Sequence, residues 1–233
     1  MASIAIETSC RSGGVAVAVG DEPPRAVAFD ASARHATELL VRLDALLGDA
    51  GRRPRDLREV YVSAGPGSFT GLRIGITVAR TLGQAVAGLR CVAVPTALAI
   101  AAGARELPWQ RLAVALCAKE GSAYTCLFAR RGEQIVPAAD PVVMTMADLP
   151  SLAPGPLTVV GEATAFGEIA AEGVTVVEPG SPLHLPTAEN VWRVGREMAR
   201  AEQFTDYRRL VPIYARRPEA VRLWEMREAR DAE

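Results

Sequence analysis

Short apolar runs alternate with segments of helical periodicity along the first hundred residues. Runs at 3–8, 15–19 and 26–29 predict three strands, since four to eight apolar residues bounded by turn residues are typical of a sheet. A Ser12-Gly13-Gly14 sequence predicts the turn between the first two strands. The next segment predicts an amphipathic helix that ends between residues 48 and 51. Its apolar positions recur at helical spacing: Ala36, Leu39, Leu40, Leu43, Leu46 and Leu47.

A glycine-rich stretch that begins at Gly65 joins an apolar strand at 60–64 to a long apolar helix at 71–88. Gly65 and Gly67 allow the backbone to turn at positive φ, and Ser68 can cap the helix that follows. Backbone amides at the N-terminus of a helix attract anions. The stretch is therefore a candidate anion-binding loop.

The same order of elements begins again after a linker at 103–108. The remaining predicted elements are strands at 90–94, 111–118, 124–130, 134–137, 157–160 and 174–177, a helix that begins at Pro95, and a helix at 187–201. Three strands followed by alternating helices and strands, occurring twice, predict an α/β protein with the two-lobed, duplicated architecture of the actin-like ATPase and ribonuclease-H-like folds. We expect an N-terminal lobe at 1–107, which carries the glycine loop, and a second lobe at 108–233, with packing of the last helix across both lobes left open.

Composition fits a globular protein of 233 residues, 49% hydrophobic and 23% charged. No apolar run approaches the ~18 residues that span a membrane, and no secretory signal pattern opens the chain, so we expect a cytoplasmic protein. The net charge of −1 indicates that any contact with RNA is indirect. The C-terminal segment differs from the rest of the chain because arginines and aromatic residues alternate there, although four acidic residues offset the positive charge. Its arginines and aromatic residues are Arg208, Arg209, Arg216, Arg217, Arg222, Arg227 and Arg230, with Tyr207, Tyr214 and Trp224.

The residues exclude several common chemistries of glycine-rich loops. A P-loop needs a lysine after its last glycine, whereas Leu72 follows Gly71 and the only lysine of the chain is Lys119. The first three glycines of the loop are spaced one residue too widely for a dinucleotide fingerprint. With only His35 and His184 available, no helical histidine pair can form a metal site. The four cysteines lack a Cys-x-x-Cys pair and are interpreted as free thiols, three of them in apolar runs.

The helix at 71–88 has two rows of apolar residues. Small residues recur every fourth position, and large ones form a parallel row: Gly71, Gly75, Ala79, Gly83 and Ala87, beside Ile74, Val78, Leu82 and Val86. Leu72 and Ile76 add a further apolar side. A helix that is apolar over most of its circumference must be covered on two sides, and small residues allow close approach of another helix. That helix belongs either to the same chain or to a partner.

The glycine stretch resembles the signature of the TsaB (YeaZ-type) family. The helix start at 34–40, with His35 and Glu38, and the Pro212-x-Tyr214-x-Arg216 element are also similar to that family. The resemblance covers most of the chain and is strongest over residues 1–100. At 117–119 the chain has Cys-Ala-Lys, where family members often carry an acidic turn.

The resemblance implies a non-catalytic subunit that docks onto the larger subunit TsaD in N6-threonylcarbamoylation of adenosine 37 in ANN-decoding tRNAs. It also implies association with a TsaE-type ATPase and a homodimer when the partner is absent. The residues expected at the partner interface are Gly71, Leu72, Gly75, Ile76, Ala79, Gly83, His35, Leu39 and Leu43. Gly75→Leu or Ala79→Arg is therefore expected to abolish docking while the fold stays intact.

A composite nucleotide site is a further hypothesis. In nucleotide-using proteins of the actin-like superfamily, the first hairpin carries acidic and small polar residues that face phosphate and metal. The equivalent residues here, with the glycine loop, are Glu7, Thr8, Ser9, Gly65, Gly67 and Ser68. The chain is expected to hold no cofactor or metal of its own, and any ATP or ADP is expected only at the interface with the partner. The alternatives are an incidental polar strand end or an ATP-dependent transferase or kinase with its own active site.

Overall fold

Two sheets with helices packed on them form the protein, as seen in a computed structural model that describes residues 1–30, 35–118, 121–152, 154–167, 169 and 171–215. The first sheet has five strands: β1 (Ala2–Glu7), β2 (Ser12–Val19), β3 (Arg25–Asp30), β4 (Leu57–Gly65) and β5 (Arg90–Pro95). Their order is β3-β2-β1-β4-β5. The first three strands pair antiparallel, and β4 and β5 continue the sheet in parallel with β1. The predicted strands of this lobe are confirmed.

Helices cover both faces of the first sheet. Helices α1 (His35–Asp49) and α2 (Phe69–Ala85) lie on one face, where they share a core with Ile4 and Ile6 of β1. The next residues along β1 point the opposite way because side chains alternate along a strand. Ala5 accordingly belongs to a separate core on the other face.

The second sheet has six strands: β6 (Arg111–Cys117), β7 (Ser122–Arg131), β8 (Gln134–Pro137), β9 (Val142–Thr145), β10 (Leu157–Val160) and β11 (Val174–Val176). Their order is β11-β10-β6-β7-β8, and β9 pairs with the first half of β7. Helix α3 (Thr96–Gly103) packs against strands of both sheets. The sequence analysis did not predict β9, a strand of four residues that is exposed along most of its length.

The helix predicted at 187–201 is confirmed as α4 (Ala188–Arg200), but it packs on the first sheet. Gly195 allows this approach, since a Cβ there would lie 2.4 Å from the Tyr61 ring. Trp192 Nε1 donates to Ser3 Oγ of β1 at 2.9 Å. This helix therefore lies on the first sheet, although it follows the boundary expected at 107/108.

The chain that follows α4 also returns to the first lobe. Thr205 bridges to Cys91 in β5, and Leu210 is fully buried in the core below α2. The amide of Ile213 donates to the carbonyl of Ala64 at 2.6 Å. We call residues 205–214 the C-terminal strap. It contacts β5, α2 and the glycine loop.

The first turn differs from its sequence-based prediction. Ser12, Gly13 and Gly14 lie within β2, and Gly14 pairs with Glu7. A Cβ on Gly13 would lie 2.3 Å from the Phe29 ring, so glycine is required there by side-chain packing and not by a turn.

Several predictions fall on residues outside the described ranges: Arg34, Lys119, Arg216, Arg217, Arg222, Trp224, Arg227 and Arg230. The side chain of His35 also lies outside the described part, although its backbone opens α1. Among the helices of the described ranges, none has the length and apolar character that crossing a bilayer requires.

Candidate functional site

The six residues of the predicted composite site meet where β1 and β4 end. Parallel strands bring their carboxyl ends to one edge of the sheet, and this places Glu7, Thr8 and Ser9 beside the glycine loop. The amide of Ser68 donates to the carbonyl oxygen of Ser9 at 2.6 Å. A Cβ on Gly67 would lie 2.2 Å from the same oxygen. These residues therefore lie next to one another, and their grouping into a nucleotide site stays a prediction.

Two carbonyl groups of the protein's own backbone lie against the glycine loop. Gly65 has φ of +107°, and a Cβ there would lie 2.3 Å from the carbonyl oxygen of Ile213 in the C-terminal strap. Ser68 Oγ accepts from the amide of Gly71 at 3.2 Å and caps α2. The loop is thus held between the carbonyls of Ser9 and Ile213. Gly67 and Ser68 are nevertheless exposed, so the start of α2 borders solvent.

Glu7 is fully buried at the centre of this arrangement. One carboxylate oxygen accepts from the amide and the hydroxyl of Ser9, at 2.5 and 2.6 Å, and the other accepts from the hydroxyl of Ser63. Burial raises the pKa of Glu7, and the three hydrogen bonds oppose that rise only in part. Thr8, next along the chain, points to α2, and its buried Oγ1 has no hydrogen-bond partner among the described residues.

The raised pKa of Glu7 predicts a pH-dependent contribution to stability. The folded protein holds the Glu7 proton above the ordinary pKa of 4.5, so this contribution is complete below that value and is lost as pH rises through the folded pKa. We expect the stability of the wild type relative to Glu7→Gln to fall as the pH rises from 4.5, by about 1.4 kcal/mol per pH unit until the folded pKa is reached. Urea unfolding of both proteins from acid to neutral pH measures it, and a constant or rising difference contradicts the assignment.

A pocket of about 240 Å³ opens beside Glu7 on the α4 side of the sheet. Gly13 and Gly14 line it, together with Thr187 and Glu189 at the start of α4. Its described lining contains two carboxyl side chains and neither lysine nor arginine. Phosphate groups require positive charge or free amides, so these residues by themselves do not fit a nucleoside polyphosphate. Nucleotide binding in a composite site with a partner stays a prediction.

The remaining candidate ligands are engaged within the fold. His184 Nδ1 accepts from the amide of Gly161 at 3.0 Å, and its Nε2 lies 2.8 Å from the carbonyl of Glu178. Cys10 is buried although the sequence places it in a loop, whereas Cys117 at the end of β6 is exposed. No group of three potential metal-ligating side chains occurs within the described ranges.

The predicted interface row of α2 faces the protein's own sheet. A Cβ on Gly71 would lie 1.9 Å from the carbonyl of Thr8, and a Cβ on Gly75 would lie 2.4 Å from Thr8 Oγ1. Gly83 is covered by Tyr207 of the strap, which would lie 2.7 Å from its Cβ. The other predicted contact residues with described side chains are buried as well: Leu72, Ile76, Ala79, Leu39 and Leu43.

The prediction that these residues contact a partner directly is therefore wrong. The sequence also allowed α2 to pack within its own chain, and this alternative accounts for the small residues. They let α2 approach β1 and the C-terminal strap. It follows that Gly75→Leu and Ala79→Arg would disturb the fold itself.

The outer surface of α1 and α2 is formed by other residues. Leu40 and Val41 of α1 are 53% and 59% exposed. Ile74 and Val78 of α2 are half-buried, and Phe69 at the start of α2 is 49% exposed. Ile74 and Val78 belong to the row of large residues visible in the sequence. Only the position of the sheet shows that this row, and not the small one, borders the surface.

Comparison with known proteins agrees with this fold. A family model described as "TsaD: tRNA N6-adenosine threonylcarbamoyltransferase" matches residues 27–215. The chain belongs to this TsaD-type family and, within it, to the TsaB (YeaZ-type) members. It is 27% identical over 230 residues to the "tRNA threonylcarbamoyladenosine biosynthesis protein TsaB" of Bacillus subtilis, which covers 96% of this chain and 98% of that protein. The protein of the same name from Escherichia coli is 27% identical over 189 residues, covering 78% and 80%.

A solved structure shares the architecture over nearly the whole chain. "YeaZ from Pseudomonas aeruginosa" superposes with a TM-score of 0.80 at 22% identity, covering 91% of this chain and 99% of that one. The predicted two-lobed actin-like fold is thereby confirmed.

Proposed function

We propose that this chain is a non-catalytic subunit for N6-threonylcarbamoylation of adenosine 37 in ANN-decoding tRNAs, and that it acts by docking onto a TsaD-type catalytic subunit. Membership of the TsaB family and the names of its two relatives support the pathway. One observation supports a docking role over a catalytic role, namely the burial and the lining of the composite site. Glu7, Thr8 and Ser9 are buried, and the described lining of the pocket beside Glu7 contains neither lysine nor arginine.

The outer surface of α1 and α2 supplies the docking face in this proposal. Leu40 and Val41 expose apolar side chains, and Ile74 and Val78 continue an apolar border on α2. Apolar residues on the surface of two neighbouring helices favour a partner that packs helices against them. We define the docking face by these four residues. It replaces the buried small-residue row as the expected contact.

A double substitution tests the docking face. We expect Leu40→Lys with Ile74→Lys to abolish co-purification with the TsaD-type subunit, because two charges at an apolar interface lose their hydration without finding partners. Val142→Lys with Val143→Lys on β9 is the matched control, since those valines are 37% and 40% exposed in the other lobe. Co-purification is measured by affinity capture, and circular dichroism checks that both variants remain folded. Retained binding of the Leu40 and Ile74 variant contradicts the docking face.

Reconstitution of the reaction tests whether this chain is catalytic by itself. Threonylcarbamoyl transfer with purified components is expected to require both this chain and the TsaD-type subunit. Transfer or ATP hydrolysis by this chain alone would favour the alternative of an actin-superfamily transferase or kinase with its own active site.

Two further partner proposals follow from the same face. A homodimer in the absence of the partner would cover Leu40 and Ile74, so the lysine variant is expected to sediment as a monomer when the wild type is dimeric. Association with a TsaE-type ATPase is expected only after the TsaD-type subunit is added. Analytical ultracentrifugation of the separate and mixed proteins measures both.

A further inference from the structure

A groove of about 610 Å³ runs between the outer surface of α2 and the C-terminal strap. Ile76 and Leu210 form its apolar floor, and Arg73 and Arg80 border it along α2. The volume lies within the range of small-molecule sites, roughly 300 to 1,000 Å³. The described residues that line it include no acidic side chain. The groove is therefore a positively charged site in a protein whose net charge is −1.

The two arginines carry charge that the fold does not use. Arg73 and Arg80 are both exposed, and neither forms an ion pair among the described residues. They are seven residues apart, about two helical turns or 10 Å along the same side of α2. Exposed arginines elsewhere do find carboxylates, as Arg42 does with Glu38 at 3.1 Å. Arg73 and Arg80 thus remain free to bind an anionic ligand.

Aromatic rings border the same groove. The guanidinium of Arg73 lies over the Phe69 ring, with 4.2 Å from its central carbon to the ring centroid. The rings of Phe69 and Tyr214 stack with centroids 5.3 Å apart and an angle of 27° between their planes. Tyr207 lines the other end of the groove. Arg73, Phe69 and Tyr214 thus form one continuous stack that holds the first arginine beside an aromatic surface.

We propose that this groove binds an unpaired nucleotide of an RNA chain. The arginines pair with phosphate groups, and Tyr214 offers a ring on which a base can stack, which is how proteins bind single-stranded nucleic acid. Thr77, Thr81 and Gln84 line the groove with donors and acceptors for the sugar and the base edge. A phosphopeptide would use the arginines but not the aromatic rings.

This proposal deepens the proposed function, because tRNA is the RNA that the modification reaction would present. It assigns the chain a direct contact with RNA, whereas the overall charge predicted only an indirect one. The groove and the docking face lie on different flanks of α2. Seven residues complete two turns, so Arg73 and Arg80 share a flank, and Ile74 and Val78 lie about 100° or more from it. Both sites can be occupied together.

Salt dependence of binding gives the sharpest test. The full chain, alone and in complex with the TsaD-type subunit, is titrated against a labelled eight-nucleotide single-stranded RNA. Each phosphate contact in a single strand contributes about 0.7 to the slope of log K against log salt. The double variant Arg73→Gln and Arg80→Gln is therefore expected to lower that slope by about 1.4. Arg131→Gln with Arg193→Gln, exposed arginines elsewhere with the same charge change, is expected to leave the slope unchanged.

The stacking part has its own variant. Tyr214→Leu is expected to weaken binding of the same RNA by about tenfold while leaving the salt slope unaltered, because it removes a stacking ring and no charge. In the transfer assay, the arginine variant is expected to raise KM for tRNA more than it lowers kcat, with co-purification retained. If the arginine variant still co-purifies with the TsaD-type subunit, a change in RNA binding cannot be due to loss of docking. Failure of the RNA proposal is thereby distinguished from failure of the docking proposal.

Several outcomes would overturn the RNA assignment. One is that the arginine variant and its control bind the RNA with equal affinity, and another is that the chain binds the corresponding RNA duplex as tightly as the single strand. A third is that a nucleoside monophosphate or a phosphoserine peptide displaces the RNA at the same concentration. The last is that neither the chain nor the complex binds RNA.

Discussion

Gly75→Leu is expected to destabilise the protein by at least about 3 kcal/mol and to lower its melting temperature by about 6 to 12 °C. Gly75 lies where α2 crosses the end of β1, and a Cβ there would be 2.4 Å from Thr8 Oγ1 and 3.3 Å from Ile6. The four carbons of leucine have no space unless α2 moves off the sheet. Thermal unfolding followed by circular dichroism measures the change.

Gly48→Leu in α1 is the matched control for this prediction. It makes the same substitution in a helix, but no atom lies within 4 Å of the position where the Cβ would be. Leucine favours helix over glycine by about 0.8 kcal/mol, so this variant is expected to be as stable as the wild type or slightly more stable. If Gly75→Leu melts at the temperature of Gly48→Leu, α2 does not pack against β1 in this way.

Leu210→Ala is expected to cost about 2 to 5 kcal/mol, although it lies far along the chain from the first lobe. Its side chain is fully buried in the core that α1 and α2 share with the first sheet. Removal of three carbons leaves a cavity that the surrounding strands cannot fill completely. Urea unfolding gives the difference, and limited proteolysis is expected to cut the variant within 205–214 before any other segment.

The neighbouring residue provides the control for the strap. Val211 is 60% exposed, so Val211→Ala is expected to change stability by less than about 0.5 kcal/mol. Equal stability of the two variants would show that the strap does not belong to the first lobe. A large loss for Leu210→Ala alone would confirm that the C-terminal strap belongs to the first lobe.

The sequence predicted most elements because their signals are local. Alternation of buried runs and turn residues determined β1 to β8, β10 and β11, and the period of 3.6 determined α1, α2 and α4. The strand β9 was missed because four largely exposed residues carry little hydrophobic pattern. The turn at Ser12-Gly13-Gly14 was misassigned because a glycine needed for packing against Phe29 and a glycine needed for a turn look the same in a sequence.

The residues grouped as a composite site lie close together, but the sequence did not predict how they are packed. The residues around Glu7 and the glycine loop meet because two parallel strands end at one edge. The carbonyl of Ile213 lies against Gly65 because of the path of the C-terminal strap, about 150 residues further along the chain. No local pattern contains this information.

The sequence by itself determined the order of elements, the duplicated α/β architecture and the resemblance to the TsaB family, since these depend on local periodicity and on motifs. Tertiary structure alone decided which side of α2 meets the sheet, where α4 packs, and that the strap completes the first lobe. It also brought Arg73 and Arg80 beside Tyr214. The physical reason is that a helix with two apolar rows satisfies its pattern with either row inward. Only the space left by Thr8 and Ile6 selects the row of small residues.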